Sequence, residues 1–272
     1  MRVGFIGLGS QGGPMARRIV EGGHETTLWA RRAASLEPYA DTAAKTAGSP
    51  AELAAASDLI CLCVVGDDDV REVVYGETGV LAGLASGGIL AIHSTVHPDT
   101  CLEIAEKAAA QGVSVIDAPV SGGAPAVEEG KLLVMVGGDE DVIDRCRPVF
   151  GTYADPIVHL GPLGSGQVTK ILNNLLFTAN LGSAISTLEL GESLGIERKR
   201  LAEVLNSGSA ISKALGSIAV FGGTLEALAP IAGALLQKDV RHAASIAASA
   251  STPEGAVFDA ADAALRSMEY PR

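Results

Sequence analysis

The chain has 272 residues with 20 Lys and Arg against 32 Asp and Glu, and its formal charge of −12 argues against a nucleic-acid partner, which needs a basic stripe that is not visible. No apolar run reaches the roughly 18 residues of a membrane span, and a strand starting at Arg2 leaves no room for a signal-peptide h-region, so a cytoplasmic protein is expected. The length suits two domains or one large one, and the abundance of Gly and Ala with only 4% aromatics fits close-packed α/β and helical folds.

The opening MRVGFIGLGSQGGPMARRIVEGGHETTLWA reads as strand, glycine-rich turn, helix, strand. Val3 to Ile6 is the first strand and Gly7-Leu8-Gly9-Ser10-Gln11-Gly12 the turn. The helix runs to about Glu21, and Thr26 to Trp29 is the second strand. In that context G-x-G-x-x-G points to dinucleotide binding. Gly7 allows the tight turn, Gly9 lets backbone approach a pyrophosphate, and Gly12 lets the helix pack on the strand. The helix N-terminus presents free N–H groups and a positive dipole end to the phosphates. The acidic residue that holds a ribose 2′-hydroxyl about 20 positions on is missing. Ala30-Arg31-Arg32-Ala33 stands there instead. Two guanidiniums suit a 2′-phosphate, so NADP is expected over NAD, with NAD possible; a solvated basic loop is the plain alternative.

Helix-like Pro50 to Ala56 leads to the strand Leu59 to Val65, on which Cys61 and Cys63 alternate toward one face. With Cys101 and Cys146 they read as free buried thiols in a reducing compartment; no C-x-x-C or histidine cluster completes a metal site, and none is expected. An acidic turn and helix (Asp67 to Tyr75), the strand Ile89 to Ile92 and the helix Pro98 to Gln111 follow. Strands at Val113 to Ile116 and Leu132 to Val136, the helix Glu140 to Phe150 and a strand at Ile157 to Leu160 complete the alternation. This predicts a Rossmann-like, doubly wound and mostly parallel sheet with helices on both faces. Cofactor is expected across the carboxyl ends of its strands.

Past Gly161-Pro162 no strand is expected, and the chain becomes Ala/Leu/Ser-rich with helical spacing. The reading is a dinucleotide-binding domain over 1–161 and an all-α domain over 162–272. A helix over about 163–194, roughly 45 Å long at 1.5 Å per residue, links the two. Gly195, Gly208, Gly222-Gly223 and Pro230 punctuate the later helices, and Pro253 begins the last.

Three further clusters carry chemistry. Asp117-Ala118-Pro119-Val120-Ser121-Gly122-Gly123 follows a strand and offers a hydroxyl with exposed N–H groups to a carboxylate; an ordinary glycine turn is the alternative. Gly164-Ser165-Gly166-Gln167-Val168-Thr169-Lys170-Ile171-Leu172-Asn173-Asn174 sets Lys170 and Asn174 on one helical face. A lysine among Val168, Ile171, Leu172 and Leu175 is poorly hydrated, which lowers its pKa toward acid–base use, although surface lysines commonly snorkel. Lys238-Asp239, flanked by Leu235, Leu236 and Val240, reads by default as an exposed ion pair.

Together these clusters resemble the β-hydroxyacid dehydrogenase family, which includes 3-hydroxyisobutyrate dehydrogenases, tartronate semialdehyde reductases and glyoxylate/succinic semialdehyde reductases. Phe5-Ile6-Gly7-Leu8-Gly9-x-x-Gly12-x-Pro14-Met15 is similar to the family's cofactor signature. Asp117-x-Pro119-Val120-Ser121-Gly122-Gly123, with Ala126 downstream, is similar to its substrate signature. Gly164-x-Gly166-x-x-x-Lys170-x-x-Asn173-Asn174 resembles its catalytic signature, and Lys238-Asp239 its late pair. The resemblance implies hydride transfer between a nicotinamide and a small β-hydroxy acid or carboxylated semialdehyde. Lys170 is then the acid/base and Asn174 orients substrate. Ser121, Gly122, Gly123 and Asp239 belong to the substrate site. Gly7, Leu8, Gly9, Ser10, Gln11, Gly12, Arg31, Arg32, Val64, Val65, Thr95 and Lys238 belong to the cofactor site.

The chain departs from the family at Gln11, where methionine is usual, and at Ile231, where the semialdehyde-reductase branch has phenylalanine. The helical domain is also somewhat short. Asn173 stands where decarboxylating 6-phosphogluconate dehydrogenases carry histidine. An imine reductase on the same architecture would not need Ser121-Gly122-Gly123 with Lys170, and a non-catalytic cofactor sensor would not need the Lys170–Asn174 pair. A long helix in a short domain also leaves apolar flank exposed, so a homodimer or homotetramer through the helical domain is expected.

Overall fold

The computed structural model describes residues 1–272, which form two compact units, Met1–Lys170 and Ile171–Arg272. The first unit runs β1 (Val3–Ile6), α1 (Gly12–Glu21), β2 (Thr26–Trp29), a 3₁₀ helix (Ala33–Tyr39), β3 (Lys45–Thr46), α2 (Pro50–Ala55), β4 (Leu59–Leu62), α3 (Asp67–Val74), α4 (Val80–Gly83), β5 (Ile89–Ile92), α5 (Pro98–Ala109) and β6 (Ser114–Asp117). It continues with β7 (Val120–Ser121), α6 (Gly123–Glu128), β8 (Leu132–Val136), α7 (Glu140–Phe150) and β9 (Ala154–His159). The long helix α8 (Ser165–Ser193) then runs into the second unit, followed there by α9 (Arg198–Ser207), α10 (Lys213–Ala219), α11 (Ala229–Ser249) and α12 (Ala256–Ser267).

The main sheet is parallel in the order β3-β2-β1-β4-β5-β6, with the order reversing between β1 and β4. Its residues divide by parity between two cores. Val3, Phe5, Leu59, Cys61, Ile89 and Ala91 face one core, while Ile60, Leu62, Leu90 and Ile92 face the other. A sheet covered on both faces accounts for the near-continuous apolar runs of β1, β4 and β5. Several helix starts follow from local sequence. Ser49 caps α2, His97 precedes Pro98 at the start of α5, and Asp139 accepts from the Asp141 and Val142 amides at the start of α7.

The expectation of a single sheet is corrected. β8 and β9 join a second, three-stranded sheet in the order β7-β8-β9, with β7 antiparallel to β8. Only the isolated bridge between Asp117 and Gly137 links it to the edge strand β6. β7 comprises Val120 and Ser121, inside what reads in sequence as a turn. Two residues carry too little periodicity to signal a strand, and cross-strand pairing alone makes it one. β4 likewise stops at Leu62, so Cys63, Val64 and Val65 lie in the following loop rather than on the strand.

The second unit contains no strand. Its core gathers Ile171, Leu175, Leu181 and Leu188 of α8 with Val240 of α11 and Phe258 and Leu265 of α12. Gly182 lets α8 approach the backbone of α12, where a Cβ would meet the Ala260 carbonyl. The division between units falls inside α8 because its first turn is bonded into the first unit.

Candidate active site

The loops after β1, β4 and β5 meet at the reversal point of the main sheet. Gly7 adopts φ +99°, and any Cβ there would collide with the Cys63 carbonyl. Gly12 packs so closely that a Cβ would strike the Gly7 carbonyl. At Gly9 nothing lies within 4 Å of the Cβ position, which leaves the outer face of the turn open. Helix α1 has no side-chain cap and no acidic residue in its first turn. Uncapped amides behind an open glycine fit a pyrophosphate. Gln11 does not interfere, for its amide points back to the Met15 sulfur at 3.7 Å.

Ser94 ties the two neighbouring loops together, its Oγ accepting the Val64 N–H at 2.8 Å. Val64 thus sits beside Gly7, where a Cβ would lie 3.2 Å from its nitrogen, and Thr95 follows Ser94 in the loop after β5, while Val65 is two-thirds exposed. At the end of β2 the two arginines differ. Arg31 reaches back to α3, bonding Asp69 and Glu72 at 3.0 Å each. Arg32 is exposed at the start of the 3₁₀ helix.

The Ser121 segment begins with β7 and turns through Gly122 and Gly123, both at positive φ (+137° and +72°), into α6. A Cβ on Gly122 would lie 2.6 Å from that of Ala126, which explains the small downstream residue. Ser121 and both glycines are partly exposed, so their polar groups are accessible.

Lys170 is 9% exposed. It lies on the covered stripe of α8 with Gln167, Ile171, Leu175 and Thr178, whereas Leu172 is exposed and is not among its covering neighbours. Asn174 follows one turn on. In the second unit its Nδ2 donates to Asp239 Oδ2 at 2.6 Å, and Asp239 Oδ1 pairs with Lys238 at 2.9 Å. Asp239 is only 3% exposed, so the default reading of an exposed pair is corrected: a desolvated carboxylate here orients an amide. The sequence motifs around Asn174 and Lys238 thus form one bonded chain.

Residues 2–161 match the family described as the NAD binding domain of 6-phosphogluconate dehydrogenase. Residues 164–268 match that described as NAD-binding of NADP-dependent 3-hydroxyisobutyrate dehydrogenase. The chain belongs to the β-hydroxyacid dehydrogenase family. An uncharacterized oxidoreductase of Shewanella frigidimarina is 37% identical over 78% of this chain and 73% of its own. The 2-(hydroxymethyl)glutarate dehydrogenase of Eubacterium barkeri is 34% identical over 79% of this chain and 71% of its own. The Mycobacterium tuberculosis 3-hydroxyisobutyrate dehydrogenase, solved with L-serine, is 26% identical, covers 98% of this chain and 94% of its own, and superposes with a TM-score of 0.84.

This member of the family is therefore an oxidoreductase that uses a nicotinamide dinucleotide, and it carries the family's motifs on the elements just described. Sequence reasoning missed four contributors. Asp117 and Gln167 lie inside the recognised motifs but received no role, because the carboxylate and the helix start it closes are 47 residues apart in the chain. Asp69 and Glu72, partners of Arg31, belong to the acidic start of α3, and nothing local connects that segment to the end of β2.

Proposed function

We propose that this enzyme is an NADP-preferring dehydrogenase of a small β-hydroxy acid, or reductase of the matching carboxylated semialdehyde, with Lys170 as its acid/base. The observation that carries this reading is the nearly buried Lys170 on the same helical stripe as Asn174, whose amide is held by Asp239. When bound, the nicotinamide supplies or accepts the hydride. In the reductive direction Lys170 Nζ donates a proton to the substrate carbonyl oxygen, and in the oxidative direction it withdraws the hydroxyl proton. Asn174 orients the substrate. Ser121 Oγ and the Gly122 and Gly123 N–H groups hold its carboxylate, with Asp239 completing the substrate side through Asn174. Gly7 to Gly12 take the pyrophosphate. Val64, Val65 and Thr95 are assigned to the nicotinamide end, and Lys238 is assigned to the cofactor by the family resemblance.

L-serine and 2-(hydroxymethyl)glutarate, associated with two of the relatives, share a primary hydroxyl β to a carboxylate. That unit is the proposed recognition element. For the 2′-phosphate, Arg32 is the principal ligand and Arg31 a shared one, because Arg31 already holds two carboxylates. The domains are proposed as 1–161 for cofactor and 162–272 for substrate and self-association, with the protein cytoplasmic and homo-oligomeric. A turnover panel tests the reading: glyoxylate, succinic, methylmalonate and tartronate semialdehydes and a cyclic imine with NADPH, and L-serine and 3-hydroxyisobutyrate with NADP. Turnover of at least one carboxylated member is expected. Activity confined to cyclic imines would overturn the assignment.

A further inference from the structure

Helix α8 begins in an unusual way. Helices α2, α7 and α10 are closed by the side chains of their own N-cap residues, Ser49, Asp139 and Ser212. The start of α8 is closed from 47 residues away. Asp117, the last residue of β6 and fully buried, accepts the Gly164 N–H on Oδ1 at 2.7 Å; its Oδ2 accepts the Gln167 N–H at 2.6 Å. Gly137 and Gly166 make room for that carboxylate, since a Cβ on either would press against one of its oxygens. The Asp117 backbone is itself locked, exchanging both amide bonds with Gly137 at 2.8 and 3.1 Å.

A second latch works in the opposite direction. The fully buried Gln167 side chain donates from Nε2 to the Ser94 carbonyl at 2.8 Å and accepts the Val96 N–H on Oε1 at 3.1 Å. Two buried side chains thus make four hydrogen bonds that fix the first turn of α8 both in position and in rotation about its axis. Lys170 follows Gln167 by three residues, about 4.5 Å along the helix and most of one turn around it. Any rotation at Gln167 is transmitted to Lys170 through rigid helix.

We infer that Asp117 and Gln167 are positioning residues for Lys170, setting the depth and direction of its ammonium without touching substrate. This rests on the reading of Lys170 as the acid/base. Displacement by about 1 Å costs on the order of 100-fold in rate, so releasing either latch is expected to lower kcat by roughly 10- to 100-fold. The Asp117 carboxylate spends its hydrogen bonds on the Gly164 and Gln167 amides and none on the glycine turn or the 94–96 loop. Asp117→Asn should therefore keep the NADPH Kd within about twofold of the parent.

The decisive measurement is a double-mutant cycle on the full-length enzyme, using the best substrate of the panel above. Asp117→Asn and Gln167→Met are each combined with Lys170→Ala. If both act through Lys170, each double variant has the kcat of Lys170→Ala alone, within about twofold. Losses that multiply in the doubles would overturn the inference. So would full kcat in both single variants at unchanged thermal unfolding. Should Gln167→Met fail to fold, Asp117→Asn, which retains one acceptor for the helix start, carries the same cycle. A Lys170→Ala enzyme with normal turnover would instead remove the acid/base assignment itself, a result distinguishable from multiplicative losses.

Discussion

Replacing Arg32 and Arg31 in turn by Ala separates two guanidiniums that look equivalent in sequence. A charge-assisted hydrogen bond to the 2′-phosphate is worth about 1.5–3 kcal/mol, a factor of roughly 10–150 in affinity. Arg32 is exposed with no ion pair to give up, so Arg32→Ala is expected to forfeit that factor in kcat/KM for NADPH, toward its lower end because of solvent and salt. Arg31 starts from a different state. Its guanidinium, 56% exposed, bonds Asp69 and Glu72 at 3.0 Å each. Exposed pairs of this kind are worth about 0.2–1 kcal/mol apiece, so turning to a phosphate sacrifices about 0.4–2 kcal/mol. The net loss in Arg31→Ala is then centred near 1 kcal/mol, roughly fivefold. Asp69→Asn with Glu72→Gln should raise kcat/KM for NADPH by a similar factor, since the competitors are gone. NADH, with no 2′-phosphate, should change less than about twofold in all of these variants. Steady-state kinetics with both cofactors, repeated at high salt to narrow the gap, measure each effect. Equal losses with NADH and NADPH, or a larger loss from Arg31→Ala than from Arg32→Ala, would refute the reasoning.

Other outcomes are expected. Lys170→Ala should lower kcat by about 10²- to 10⁴-fold while NADPH still binds, as followed by fluorescence titration. Burial against Phe150 and Tyr153 lowers the pKa of His93 to about 4 against an ordinary 6.5, outweighing the Ala118 carbonyl at 2.7 Å, which favours the protonated ring. The unfolded chain therefore binds this proton first as pH falls. Stability is complete above about pH 6.5 and declines by up to roughly 3 kcal/mol on approaching pH 4, and His93→Gln should flatten that part of the urea-midpoint profile. Leu172 and Leu176 on α8, Leu190 near its end, and Val220, Phe221 and Ile231 are exposed, so light scattering at micromolar concentration should give a multiple of the 27.6 kDa protomer. A monomer at that concentration would remove the proposed self-association.

Periodicity and short-range chemistry made much of this protein legible from its sequence. Strands with apolar residues on both faces, the glycines at 7, 9 and 12, and the proline-free run after Gly161 each signal through neighbours in the chain. The Rossmann-like unit and the helical unit therefore followed, and so did the glycine-rich turn leading into α1. The tertiary structure alone decided which distant groups meet. Pairing with β8 makes Val120 and Ser121 a strand and splits the sheet in two. The acidic face of α3 claims Arg31 and leaves Arg32 exposed. Asp239 is buried against Asn174, 65 positions earlier, and Asp117 binds the Gly164 amide, 47 residues on, at the start of α8. The physical reason is common to all four. A hydrogen bond or ion pair between residues far apart in sequence leaves no periodic trace, because its geometry exists only once the intervening chain has packed.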